Sequence, residues 1–153
     1  MKLFKGFTLL ELLLCLSLVS LIAFFSLLYT SSLYKKNQLQ TVTAEIRNAI
    51  HAAKMQAFII GKPLALTHLP HTKDWSEGML LFVDNAKHQC VQPLYKWHWK
   101  SGIEVSWHGF QSKDYLLFAT DLRSSMTNGY FVIRNAQQHV KLIVNRVGRV
   151  RNG

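Results

Sequence analysis

Two cysteines in a chain of 153 residues are too few for a disulfide framework. Cys15 lies inside an apolar N-terminal run and Cys90 far outside it, so no bond between them is expected. There is no Cys-x-x-Cys pair, which argues against cysteine-based zinc binding and thioredoxin-type redox chemistry. The chain also lacks a phosphate-cradling glycine loop, internal repeats and low-complexity segments. Asp74, Glu77, Asp84, Glu104, Asp114 and Asp121 lie mostly beside turns, where solvated carboxylates are ordinary. The seven histidines are scattered, and the close pair in "HLPH", His68 and His71, is split by Pro70 and reads as two loop histidines. No acid, base or nucleophile is gathered with partners, so no catalytic residue, cofactor or metal is expected.

Acid is missing most conspicuously from one end. After Asp121 the chain carries Arg123, Arg134, Lys141, Arg146, Arg149 and Arg151, and neither Asp nor Glu. Charged residues make up 17% of the whole and hydrophobic ones 49%, a composition that folds, and the length fits one domain. The formal charge of +10 favours anionic partners such as nucleic acid, acidic lipid or an acidic protein face.

The other end is apolar. Residues 12–29, "LLLCLSLVSLIAFFSLLY", are uncharged and long enough to cross or nearly cross a bilayer core of about 30 Å. A removable secretory signal would need a small-x-small cleavage site after the run, and none follows. Lys2 and Lys5 precede the run and place its N-terminal side in the cytoplasm, with the remainder facing outward. Glu11 sits at the lip of the hydrophobic segment, where a carboxylate calls for a cationic partner.

The opening "KGFTLLE" resembles the type IV prepilin signature, with its short basic leader, Gly6, Phe7 and a Glu five residues into the mature chain. The resemblance implies cleavage after Gly6 by a prepilin peptidase and N-methylation of Phe7. It also implies that Glu11 pairs with the N-terminal amine of a neighbouring subunit during filament assembly. Other pilins and the bacterial inner membrane are then partners, the latter before assembly into an extracellular pilus. Loss of residues 1–6 removes two of the 18 basic side chains and leaves 16 against 8 acidic, a formal +8.

Beyond Tyr34 the pattern becomes amphipathic. Val42, Ile46, Ala49, Ile50, Ala53 and Ala57 recur in steps of three and four, with Glu45, Arg47, Asn48 and Lys54 on the other faces. Gly61 and Pro63 supply a stop, so one helix is expected over about residues 7–60. Short strands follow near residues 64–69, 79–83, 94–99, 103–107, 115–119, 130–134 and 140–144, separated by turn-forming stretches. The expected architecture is α+β, a long helix on an antiparallel sheet head. Its parts are a leader (1–6), a hydrophobic helix (7–34), its amphipathic continuation (35–61) and a β-rich head (62–153).

Two stretches in the head are candidates for binding. "LYKWHWK" alternates Tyr95, Trp97 and Trp99 with Lys96, His98 and Lys100, which reads as a strand burying aromatics and exposing bases. The alternative is a set of base-stacking rings beside phosphate-binding lysines. At the C-terminus, Val140, Leu142 and Val144 alternate inward, and a continued strand would drive Arg146 into the core. A turn over residues 145–148 is therefore expected, with Asn145 and Gly148 able to take positive φ. A short returning strand then places Arg149 and Arg151 on one face and Val150 on the other. Guanidinium forks suit phosphate, so DNA would be held by its backbone, without sequence preference and with strong salt dependence. Pilin neighbours or envelope lipids are the competing anionic partners.

The blocks "DWSEGMLLFVDNA", "LLFATDLRSSMTNGYFVI" and "VKLIVNRVGRVR" resemble the GspH/FimT-type minor pilins and pseudopilins. FimT-like members are linked to DNA uptake in natural transformation through a terminal Gly-Arg-x-Arg. Carried onto this chain, the motif selects Gly148, Arg149 and Arg151, to which charge and position add Arg146 and Lys141. Lys96, Lys100, Arg123 and Arg134 are possible extensions of the basic surface. The rival reading is a structural minor pseudopilin that primes a pilus or type II secretion filament without binding DNA.

Overall fold

The computed structural model describes residues 8–72, 74–85, 88–99, 102–121, 123–136 and 138–153, without the side chains of residues 26–33. The chain divides into two compact units between Asn37 and Gln38. One α-helix, α1, covers Leu9–Ile60. Its start is fixed by a capping box. The Glu11 N–H donates to Thr8 Oγ1, and the Glu11 carboxylate accepts from the Thr8 N–H, each at 3.3 Å. From Leu9 to Phe25 the described side chains are exposed on every face of the helix. Ser17 and Ser20 turn their hydroxyls onto the carbonyls of Leu14 and Ser17 (2.8 Å each), which leaves little polar surface there. Among the described residues no helix is long and apolar enough to cross a membrane. The uncharged run read from the sequence is described with side chains only as far as Phe25.

In the second unit the α1 stripe of Leu39, Val42, Ile46, Ala49, Ile50, Ala53 and Ala57 is buried throughout. Gly61 ends the helix in the left-handed region (φ 67°), its N–H bonded to the Ala57 carbonyl at 3.0 Å. Eight strands follow among the described residues: β1 (Leu64–His68), β2 (Gly78–Val83), β3 (Pro93–His98), β4 (Glu104–Gly109), β5 (Tyr115–Phe118), β6 (Gly129–Arg134), β7 (His139–Val144) and β8 (Val150–Asn152). All pairings are antiparallel.

The antiparallel head expected from the sequence is built of two sheets, with strand orders β3-β2-β1-β5 and β4-β6-β7-β8. The chain leaves the first sheet between β3 and β4, where Gly102 takes φ 99° and β4 goes on to pair with β6 rather than β3. The inner faces of both sheets and the α1 stripe enclose the main core, which includes Trp75, Trp99, Trp107 and Phe131. A smaller cluster of Ala65, Leu69, Leu80, Phe82 and Leu117 covers the far side of the first sheet. That two-sided burial explains why β2 is apolar without alternation.

The second sheet alternates. Val105, Trp107, Phe131, Ile133, Leu142 and Val144 are buried, while Ser106, His108, Tyr130, Val132, Lys141 and Ile143 lie on the outer side. Gly129 is required by close approach, since a Cβ there would meet the His108 carbonyl oxygen at 2.5 Å and the Trp107 ring at 2.6 Å. In "LYKWHWK" burial is graded. Trp99 is buried with its indole N–H on the Trp75 carbonyl (2.6 Å), and Trp97 is half-buried against the core. Tyr95 is 47% exposed, because β3 is an edge strand.

Candidate functional site

The C-terminal arginines stand on a braced turn. After β7 buries Leu142 and Val144, the Gly148 N–H donates to the Asn145 carbonyl (2.9 Å), and Gly148 takes φ 70°. Asn145 contributes through its side chain: Oδ1 accepts from the N–H groups of Val147 (3.1 Å) and Arg149 (2.8 Å). Its own N–H donates to the Arg149 carbonyl (3.1 Å), and its carbonyl also accepts from the buried Thr127 hydroxyl (2.8 Å). Gly148 is buried against Phe118 and the Lys54 stem, and a Cβ there would come within 3.3 Å of the Phe118 ring, so conformation and close packing both favour glycine. Asn145→Ala should cost about 1–3 kcal/mol through loss of the two hydrogen bonds, each worth about 0.5–1.5 kcal/mol. Hydrogen exchange checks this, with the amides of Val147 and Arg149 losing protection before the sheet does.

β8 then returns along β7 in the register Val144–Val150, Ile143–Arg151 and Leu142–Asn152. Val150 packs against the core, leaving Arg149 and Arg151 exposed on the outer side. The far end of β8 is held by the Arg47 guanidinium, which donates to Asn152 Oδ1 (2.7 Å), and by the Gly153 N–H on the Lys141 carbonyl (2.8 Å). Lys141 shares the outer face, diagonal to Arg151. Arg146 lies on the turn and donates through Nη2 to the Arg123 carbonyl (2.6 Å), which brings the Arg123 loop alongside. Among the described residues, Lys141, Arg146, Arg149 and Arg151 pair with no carboxylate.

Sequence reasoning missed Arg47 and Lys54 as neighbours of this edge. Their spacing of seven on α1 places them on one helical face, a readable signal. Of the other basic candidates, Arg134 pairs with Glu104 (3.7 Å) at the end of β6 away from the turn. Lys96 belongs to the edge of the other sheet, and Lys100 lies outside the described residues. His68 bonds the Leu69 carbonyl through Nδ1 (2.9 Å) and meets Trp75 edge-on. Cys90 sits against the smaller cluster, where burial pushes its thiol up from the ordinary cysteine value and away from the reactive thiolate.

No family model matches the chain, and no curated protein matches it in sequence. Solved structures do match. The type IV minor pilin FimU of Pseudomonas aeruginosa superposes with a TM-score of 0.64 at 18% identity, over 78% of this chain and 90% of FimU. The minor pseudopilin EpsH from the type 2 secretion system of Vibrio cholerae gives 0.53 at 12% identity, over 78% and 95%. The fold is that of a type IV pilin. Within the pilin fold, the expected processing residues Gly6 and Phe7 lie outside the described residues. Glu11, expected to act in assembly, is the N3 residue of the capping box, with Oε2 accepting from the Thr8 N–H and hydroxyl at 3.3 Å each.

Proposed function

We propose that this chain is a minor type IV pilin that binds extracellular DNA through its C-terminal arginine edge and supports DNA uptake in natural transformation. The observation that carries the reading is the exposed Arg149–Arg151 pair, braced by the Asn145 turn and without a carboxylate partner among the described residues. Arg146 and Lys141 extend it, with Arg47 and Lys54 on the adjoining helix face. Guanidinium forks carried on a braced backbone can grip phosphate and read no base edge, so binding is independent of sequence. In this reading the leader is removed after Gly6 by a prepilin peptidase, and Phe7 is methylated. The apolar half of α1 holds the protein in the bacterial inner membrane until it assembles with other pilins through Glu11. Neither catalysis nor a cofactor enters.

A second reading, a structural minor pseudopilin that primes a filament without DNA, is favoured by the likeness to EpsH and by apolar residues left open near the end of α1. Ile59 is 72% exposed there, beside Met55 and Phe58. Full-length protein in nonionic detergent, titrated with fluorescent duplex DNA at several salt concentrations, separates the two. For three phosphate contacts the logarithm of affinity should fall against that of salt with a slope of about −2.7, equally for unrelated sequences. No binding at low salt would leave the structural reading.

A further inference from the structure

The outer face of the second sheet carries groups that the arginine edge does not use. His108 on β4 is exposed, and its ring stacks on Tyr130 of β6, with centroids 4.9 Å apart and planes at 22°. Lys141 Nζ lies 4.0 Å from the centroid of the same tyrosine ring. His108 and Lys141 come from the strands on either side of β6 and hold the phenol between them. β4 is the edge of the sheet, so no further strand covers the exposed imidazole, whose Nε2 lies 3.3 Å from the Ser106 hydroxyl. Just past β4, Phe110 keeps its N–H on the Asn128 carbonyl (3.0 Å) and is 76% exposed. Two residues beyond His108, it continues the outer row of that strand.

The register joins these rings to the arginines. Arg151 is opposite Ile143, Ile143 opposite Tyr130, and Tyr130 opposite His108, a single row across all four strands. The acid on this face, Glu104, is paired with Arg134 at the end of the sheet away from the turn.

We propose that this row is a stacking platform for single-stranded DNA, with phosphates on Arg149 and Arg151 and unpaired bases on His108 and Phe110. The inference rests on the DNA-binding reading above and specifies which form of DNA is held. Every base has a π-face, so stacking on imidazole and phenyl rings tolerates any sequence. A duplex keeps its base faces covered. Positions two apart on a strand are about 6.8 Å apart, twice the 3.4 Å rise of stacked bases, so neighbouring bases reach separate rings only when unstacked.

The test uses full-length protein in nonionic detergent and fluorescence anisotropy with three probes: an oligo-dT strand, an abasic strand of equal length, and a duplex. The wild type should prefer oligo-dT to the abasic strand by at least about fivefold. His108→Ala with Phe110→Ala, both at exposed positions, should erase that preference while duplex affinity stays within about twofold. If the wild type binds duplex but does not distinguish oligo-dT from the abasic strand, the platform is refuted and the arginine edge stands. The same holds if the preference survives the double substitution. If the wild type binds none of the probes, both readings fall together.

Discussion

Phe131→Ala should remove about 3–5 kcal/mol from the stability of the head, a large share of the roughly 5–15 kcal/mol available to a domain of this kind. Phe131 is fully buried in β6, with its ring 4.6 Å from that of Trp107 and 5.3 Å from that of Trp75. It therefore fills the space between the second sheet and the segment that leads into β2. Removal of the ring leaves a cavity that the neighbours cannot close, because Trp107 is pinned by its indole N–H on the Ser112 carbonyl (3.0 Å) and by Gly129 beneath it. Urea unfolding followed by tryptophan emission reports on this directly, since all four tryptophans lie in the head. Phe131→Leu conserves much of the volume and should cost less than half as much. Equal losses for the two would mean that ring packing is not what holds this sheet in place.

Much of this arrangement was legible from local pattern. The α1 stripe from Val42 to Ala57 follows the helical period, and each of its residues is buried. The turn after Val144 followed from one conflict, that the same alternation that buries Leu142 and Val144 would have buried Arg146. What stayed hidden depends on partners distant in sequence. Nothing in "EVSWHG" states that β4 pairs with β6 and starts a second sheet, and a period of two reads the same in either sheet. Tyr95 alternates with Trp97 and Trp99 yet stays open, because alternation gives a face while the edge position of β3 decides whether anything covers it. Thr8 and Glu11 spell a capping box, a local signal that the cost of a carboxylate beside an apolar run had overshadowed. Arg47 joined the C-terminal edge only when β8 was laid against α1, through its bond to Asn152.

Arg149→Gln with Arg151→Gln should weaken duplex DNA binding by roughly a hundredfold or more, since each removes a charge-assisted contact of about 1.5–3 kcal/mol. The fold should be unaffected. Arg149 serves the turn through its backbone N–H and carbonyl, which glutamine keeps, and both side chains are exposed. The salt slope should shrink by about 1.8, the share of two phosphates, leaving the remainder to Arg146. A lysine pair at the same positions separates charge from geometry. It should restore most of the slope but not all of the affinity, because an ammonium cannot grip phosphate with two parallel bonds. Tight binding that survives the glutamine pair would move the DNA site elsewhere, and substitution of Arg47 and Lys54 on α1 would be the next measurement. Loss of affinity with an unchanged slope would mean that the pair positions the edge without touching phosphate.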